Sequence, residues 1–149
     1  MHLRIESPVD TPLASVKMGF TRELFLRLNP PFPPVKLLRF DGCEKGDEVG
    51  LELNFILFKQ KWISDITDSG EKEGQWFFLD EGRKLPFFLR SWKHQHVVQS
   101  VSKSESKIID DIHFTTGTLL TDLLLFPALY VQFLYRKPIY KKYFKATAT

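Results

Sequence analysis

The chain has 149 residues and a net charge of +3 at pH 7, and 43% of its residues are apolar and 14% aromatic. This apolar content excludes a chain that is disordered throughout, and the length fits a single domain over residues 1–149. The small, scattered charge excludes the basic footprint of a nucleic-acid-binding protein.

Cysteine usage and the N-terminal residues indicate the compartment. Cys43 is the single cysteine, which excludes an intramolecular disulfide and a thiolate-cluster metal site and fits a reducing environment. The N-terminal stretch MHLRIESPVD lacks the apolar segment of a secretory signal. We therefore predict a cytoplasmic protein.

The first part of the chain predicts one strand, two short helices and a connector. Residues 2–9 alternate apolar and polar side chains, as a half-buried strand does. A short helix is expected to follow Pro12 and to end near Gly19, and a second is expected to begin at Thr21. Four prolines within residues 30–34 exclude both a helix and an interior strand there.

Six further strands are predicted between residues 35 and 117, separated by turns that contain glycine or aspartate. The last two form a hairpin, in which RSWKHQHVVQSV pairs with SKIIDDIHFTTG across the polar tip at residues 102–105. No repeat or low-complexity segment interrupts this pattern.

The C-terminal part predicts one long helix, from about Thr118 to Tyr143, bent near Pro127. Its apolar stretch, residues 119–134, is shorter than the roughly 20 residues of a membrane span and contains Asp122. We therefore predict no transmembrane segment.

The basic run YRKPIYKKYFK, residues 135–145, has two interpretations. Cations favour the negative end of a helix dipole, which predicts a solvated helix end. Contact with anionic lipid is the alternative. We favour the first.

The order of elements predicts an α+β fold with a curved antiparallel sheet of about seven strands. Such a sheet has one concave face to cover, and a long C-terminal helix laid across that face encloses a core. The two short helices after the first strand complete the arrangement.

Several stretches resemble one superfamily. FDGCEKGDEV, WFFLDEGRKLPFFLRSWKHQHVV, IIDDIHFTTG and FLYRKP are similar to the SRPBCC superfamily of START and Bet v 1-like proteins, which have the helix-grip fold. The resemblance is strongest to bacterial stand-alone proteins described as polyketide cyclase/dehydrase-like or as relatives of a cell-division inhibitor. The residues that recur in that subgroup correspond here to Trp92, His94, His96, either Asp110 or Asp111, Tyr135 and Arg136.

The resemblance implies a cavity between sheet and helix that takes hydrophobic small molecules such as lipids, sterols or polyketides. We therefore expect a lipid- or polyketide-like ligand, no cofactor, and a monomer or weak homodimer. Strand parity and the helix pattern give candidate pocket residues, although most such residues form core by default. They are Trp62, Trp76, Phe78, Phe88, Trp92, His94, His96, His113, Phe114, Leu120, Leu124, Tyr130, Phe133 and Arg136.

The histidines raise three possibilities. A two-residue turn at Lys103 and Ser104 would place His94 opposite His113 and His96 opposite Asp111, a set able to hold zinc. A shift of one residue would dissolve that set. Otherwise the imidazoles are hydrogen-bonded to neighbouring strands or to the aspartates, or they anchor a ligand head group. Among functional hypotheses we favour the anchor, and we predict no metal.

Other polar residues have a structural and a functional interpretation. Arg136 either pairs with Asp80 or Glu81, which we favour, or binds a carboxylate or phosphate at the cavity mouth. Asp122 is either a carboxylate of the first helical turn, which we favour, or a pocket acid.

Catalytic motifs are missing from the sequence, including G-x-S-x-G, H-E-x-x-H and glycine-rich phosphate loops. We therefore predict no catalytic residue. Two hypotheses stand beside ligand binding. One is a cyclase- or dehydratase-type enzyme using acid/base chemistry at His94 and His96, and the other is a protein-interaction module with a vestigial pocket.

Overall fold

The computed structural model describes residues 1–147. Seven strands form one antiparallel sheet in the spatial order β1-β7-β6-β5-β4-β3-β2, so the first strand pairs with the last. The α+β prediction with about seven strands is confirmed. The elements are β1 His2–Val9, α1 Leu13–Gly19, α2 Arg22–Arg27, β2 Val35–Phe40, β3 Glu48–Asn54, β4 Lys59–Lys72, β5 Gln75–Lys84, β6 Ser91–Ser100, β7 Ser106–Thr115, α3 Leu119–Leu134 and α4 Arg136–Thr147.

Alternation of side chains decides which face of the sheet is covered. In β6 the even-numbered residues from Trp92 to Val98 are buried, and most of the odd-numbered ones are exposed. In β7 the even-numbered residues from Ser106 to Phe114 are buried as well. Because successive strand residues point to opposite faces, the even-numbered residues of both strands line the concave face.

The long C-terminal helix is confirmed, and it is divided into α3 and α4 by one turn residue, Tyr135. Helix α3 runs through Pro127 without a break, and α4 begins at Arg136. Pro138, in the first turn of α4, has no N–H to donate to Leu134, and its ring crowds that carbonyl. The helix is therefore interrupted just before Pro138.

One helical stretch in the described residues, Leu119–Lys145, is long and apolar enough to span a membrane by length and composition alone. That single weakly apolar stretch does not indicate a membrane span.

Two apolar clusters form the core on the concave face. The first cluster lies under α1, α2 and α4 and includes Phe20, Trp76, Phe78 and Phe144. The second cluster lies under α3 and includes Leu3, Trp92, Ile112, Phe114, Leu129 and Phe133. The helices cover the sheet as the sequence predicts, and the space between the two clusters holds polar residues.

The start of α3 is capped by its own side chains. The Thr118 hydroxyl accepts a hydrogen bond from the Thr121 N–H at 3.2 Å. Asp122 accepts one from the Thr116 N–H at 2.5 Å, which is the main reason that the pKa of this carboxyl is lowered. The prediction that Asp122 belongs to the first helical turn is confirmed.

Replacing Thr118 with alanine is expected to lower the free energy of unfolding by about 1 kcal/mol, because the Thr121 N–H loses its acceptor. Thr118→Ser keeps an acceptor and should cost much less. Urea unfolding of both variants checks this, and equal losses would contradict the capping role.

Candidate functional site

A group of polar side chains lies between the two apolar clusters, on the concave face. Strand pairing places Asp80 opposite His94 and His96 opposite Asp110. The first turns of α4 add two side chains from above the sheet. We call this group the buried polar cluster: Asp80, His94, His96, Asp110, Arg136 and Tyr140.

Asp110 is the centre of the cluster and is fully buried. Its Oδ1 lies 2.8 Å from His94 Nε2, within a hydrogen bond, and 3.8 Å from His96 Nδ1. Arg136 Nη1 lies 3.7 Å from the same oxygen, and the guanidinium sits over the Phe133 ring at 4.3 Å. One carboxylate thus faces three nitrogen-bearing side chains.

Burial keeps both imidazoles neutral. It lowers the pKa of His94 well below its usual range, and the charge of Arg136 lowers it further. Burial also lowers the pKa of His96 well below its usual range, and neighbouring His94 adds to this. At neutral pH, therefore, His94 donates its Nε2–H to Asp110, and its other ring nitrogen carries a lone pair.

The acids of the cluster hold their protons more tightly than ordinary carboxyls. Burial raises the pKa of Asp110, and Arg136 opposes that shift. Burial raises the pKa of Asp80 to about 6, against a hydrogen bond from Ser64 and the charge of Arg136. Burial likewise raises the pKa of the Tyr140 hydroxyl. Asp80 therefore changes its charge close to neutral pH.

Most of these polar groups lack a full set of partners. Buried polar atoms are nearly always hydrogen-bonded, because an unpaired one costs its whole desolvation energy. In the cluster, five buried side-chain atoms make no hydrogen bond of ordinary geometry among the described residues, although Arg136 lies close enough to Tyr140 to oppose the rise in the pKa of its hydroxyl. The five atoms are Asp80 Oδ1, His96 Nδ1, Asp110 Oδ2, Arg136 Nη1 and Tyr140 Oη.

Two groups of side chains have the spacing of metal ligands. One atom each of His94, His96 and Asp110 lie within 4.8 Å of one another. Arg136 approaches Asp110 to 3.7 Å, and this cation opposes a divalent ion at the same carboxylate. Two imidazoles and a carboxylate are suitable zinc ligands, but the adjacent Arg136 charge opposes the binding of zinc.

The second group lies on the outer face of the sheet. His2 Nε2 is 2.8 Å and His113 Nε2 3.5 Å from Asp111 Oδ1, and the two rings stack at 4.2 Å. Arg4 donates to the other carboxylate oxygen at 3.0 Å. Partial burial raises the pKa of Asp111, but hydrogen bonds from His2 and Arg4 outweigh it, so the net shift is downward.

The register of the β6–β7 hairpin differs by one residue from the one that would gather a metal set. His94 lies opposite Ile112, and His96 lies opposite Asp110. Five residues, 101–105, separate the two strands, rather than a two-residue turn. His113 consequently lies on the outer face, away from the other two histidines.

The predicted pocket residues of the sheet separate into three groups. Trp76 and Phe78 belong to the first cluster, with Phe78 stacked on His96 at 4.1 Å. Trp92 and Phe114 belong to the second cluster, where Phe133 of α3 covers them. Trp62 and Phe88 pack, partly buried, at the edge of the second cluster.

The other predicted residues of α3 point away from the sheet. Leu120, Leu124 and Tyr130 are exposed, and the inward side carries Leu129 and Phe133 instead. Each helical residue rotates the chain by about 100°, so Leu124 lies almost opposite the buried Asp122. Residues 119–134 are apolar around most of the helix, so the sequence does not indicate which side of α3 faces the sheet.

Arg136 approaches Asp110 rather than the acids predicted for it. The Arg136 charge still lowers the pKa of Asp80, against the larger effect of burial. Glu81 lies on the outer face of the sheet, 3.4 Å from Lys93. The sequence does contain a signal for Asp110: its β7 neighbours two residues away on each side, Ile108 and Ile112, are apolar. We found no sequence signal for Tyr140.

The chain matches no protein-family model and no curated protein. Its structure resembles an aromatase/cyclase from Streptomyces sp. R1128, with a TM-score of 0.69, 12% identity, and coverage of 94% of this chain and 90% of that one. Norcoclaurine synthase from Thalictrum flavum gives a TM-score of 0.66 and 9% identity over 94% and 89%. Ara h 8.0201 gives 0.57 and 17% over 99% and 95%. The chain has the helix-grip fold of START and Bet v 1-like proteins, as its motifs predict.

Proposed function

We propose that the protein binds an apolar small molecule between α3 and the sheet, with a polar head group at the buried polar cluster. The observation that carries this proposal is the set of five buried polar atoms that lack an ordinary hydrogen bond and lie between two apolar clusters. A core that only needed packing would avoid such atoms, because each one destabilises the fold. A lipid- or polyketide-like molecule has an apolar part for the apolar clusters and a polar group for these atoms.

These buried polar atoms define the head group. Arg136 Nη1 and the Tyr140 hydroxyl are donors, Asp110 Oδ2 offers lone pairs, and His96 Nδ1 donates or accepts according to its tautomer. Donors and acceptors side by side suit a ligand that carries a carbonyl and a hydroxyl close together. A bare ammonium or phosphate would satisfy only part of the set.

Access to the cluster requires α3 to move. The only buried apolar side chains of α3 in the described chain are Leu129 and Phe133. Side chains of the second cluster fill the space beneath them, and two depressions of about 470 and 490 Å³ lie elsewhere, against the outer face and the edge of the sheet. We infer that a ligand enters by displacing Phe133 and its neighbours while α4 stays packed on β1.

Native mass spectrometry of the protein from its own host tests the proposal. We expect a retained apolar molecule, and we expect Tyr140→Phe to weaken its binding about ten-fold, because one hydrogen bond near a charged group is lost. Tyr135→Phe is the matched control, since Tyr135 is exposed on the same helical stretch. A ligand retained equally by both variants, or a bare protein mass throughout, would contradict the proposal.

Acid/base catalysis is the second candidate. The His94–Asp110 hydrogen bond and an Asp80 pKa of about 6 are observations that favour it. Two of the similar structures are named as an aromatase/cyclase and a synthase. Turnover of a bound poly-β-ketone, followed by absorbance of an aromatic product, would distinguish an enzyme from a binder.

The cytoplasmic location stays a prediction.

A further inference from the structure

We propose that the protein docks on an anionic lipid surface through one end of its sheet. The proposal goes beyond ligand binding and does not depend on it. It rests on exposed apolar side chains that three neighbouring connections bring to the same end. We call this surface the apolar end: Ile56, Leu57, Phe87, Leu119, Leu120, Leu123 and Leu124.

Sheet topology explains why these residues meet. In this antiparallel sheet β3, β5 and β7 run in the same direction, so the connections that follow them all leave from the same end of the sheet. The Phe58 and Phe87 rings lie 5.7 Å apart, which joins the β3–β4 connection to the β5–β6 connection. Phe88 and Phe126 pack on the same second cluster, which joins the β5–β6 connection to α3.

The exposure of these side chains is large. Leu57 is 92% exposed, Ile56 81%, Phe87 73% and Leu124 72%. Monomeric soluble proteins rarely leave so many large apolar side chains together in water, and such patches mark interaction sites. At the opposite end of the sheet, the hairpin tips carry mainly charged and polar residues.

The β3–β4 connection is built to hold two of these side chains outward. Ile56 has φ 75, a left-handed conformation that is costly for a β-branched residue. The Asn54 side chain accepts a hydrogen bond from the Ile56 N–H at 2.9 Å, and the Leu57 N–H bonds to the Phe55 carbonyl at 2.9 Å. The backbone is thereby fixed with both side chains in solvent.

Basic residues flank the apolar end on the side of the strands. Lys59, Lys61, Lys84 and Arg90 are exposed at the adjoining strand ends. The one acid paired with this group in the described structure is Glu52, at 3.5 Å from Lys59. The apolar side chains can insert among lipids, and the adjacent cations can bind anionic head groups. Together they give a surface complementary to an anionic membrane.

A second copy of the chain is a poorer occupant of this surface. A two-fold interface places the same patch on both partners, so it would bring the two sets of basic residues together. The basic run at residues 135–145 is not part of the docking surface. Its end packs beside α1, where the Thr11 hydroxyl donates to the Phe144 carbonyl.

Vesicle sedimentation tests the docking. We expect the full chain to bind phosphatidylcholine vesicles containing about 30% phosphatidylglycerol, and to bind pure phosphatidylcholine much more weakly. The variant Ile56→Ser/Leu57→Ser/Phe87→Ser should lose at least about ten-fold in binding, and high salt should weaken the wild type. Thermal unfolding confirms that the variant is folded.

A matched control removes exposed apolar residues elsewhere. Met18 is 81% and Val101 60% exposed, away from the apolar end, so Met18→Ser/Val101→Ser should bind vesicles as the wild type does. Equal loss in both variants, or no binding of the wild type to anionic vesicles, would overturn the proposal. A dimer that only the apolar-end variant dissociates would assign the surface to a second copy instead.

Discussion

Replacing Asp110 with alanine is expected to lower the free energy of unfolding by about 3 kcal/mol. The change removes the carboxylate that accepts from His94 at 2.8 Å and that lies 3.7 Å from the Arg136 guanidinium. It leaves the partly buried Arg136 guanidinium with only Asp80 nearby, and removing one partner of a largely buried charge pair is much more costly than never having the pair. Urea unfolding monitored by tryptophan fluorescence measures the loss.

The neighbouring residue provides the control. Asp111→Ala removes a carboxylate one position further along β7, on the outer face, where it pairs with Arg4 and His2 in contact with solvent. Such pairs contribute less than about 1 kcal/mol. If Asp110→Ala cost no more than Asp111→Ala, the buried polar cluster would have to be well solvated, and the pKa shifts described above would be wrong.

Acidification is expected to destabilise the protein through its buried histidines. In the unfolded chain they take up protons near pH 6.5, whereas in the folded protein His94 and His96 stay neutral well below that pH. A depressed histidine pKa contributes stability that is present above the unfolded pKa and is lost as the pH falls. Asp80, whose folded pKa is raised to about 6, and Asp110, whose folded pKa is also raised, work in the opposite direction, because their protonation favours the folded state.

The net result is a fall of at most about 2 kcal/mol in the free energy of unfolding between about pH 7.5 and about pH 5.5. Urea titrations at intermediate pH values measure it. Asp80→Asn should make the fall steeper, because one of the two opposing acids is gone. His113→Gln should leave the fall unchanged, since His113 is exposed. A stability that is constant over this range would contradict the neutral state of the two imidazoles.

Membrane and ligand experiments report on different parts of the molecule. Tyr140→Phe acts at the centre of the fold, and the serine variant acts at the connections after β3 and β5. If the serine variant no longer bound vesicles but still retained the apolar molecule, the two proposals would be shown to be independent. The interaction-module hypothesis also requires an exposed apolar patch, and the apolar end supplies one.

Local pattern was sufficient for the fold class. The alternation in residues 2–9, the proline-rich connector and the turn residues predict the strand and helix order, because these signals depend on neighbours in the sequence. The division of the helix at Tyr135 was not predicted. Pro127 and Pro138 look alike as helix breakers in the sequence, but Pro127 lies inside α3 and Pro138 in the first turn of α4.

Strand parity could have excluded one register of the last hairpin. Directly opposed residues share a face, so placing His94 opposite His113 would put the odd-numbered residues of β7 inside. The even-numbered set contains Ile108, Ile112 and Phe114 and is the more apolar one. Applied to both strands together, this rule selects Asp110 as the inward aspartate.

The sequence by itself determined the α+β class, the seven strands, the covering helix and the inward direction of His94 and His96, because each follows from a period of two or of about 3.6 residues. Tertiary structure decided that Asp110, Asp80, Arg136 and Tyr140 meet those histidines, and that Leu120 and Leu124 face away from the sheet. A period specifies which residues share a face, but not which strand residues lie opposite one another or how an all-apolar helix is rotated. Those relations are set by turn length and by packing between elements far apart in the chain.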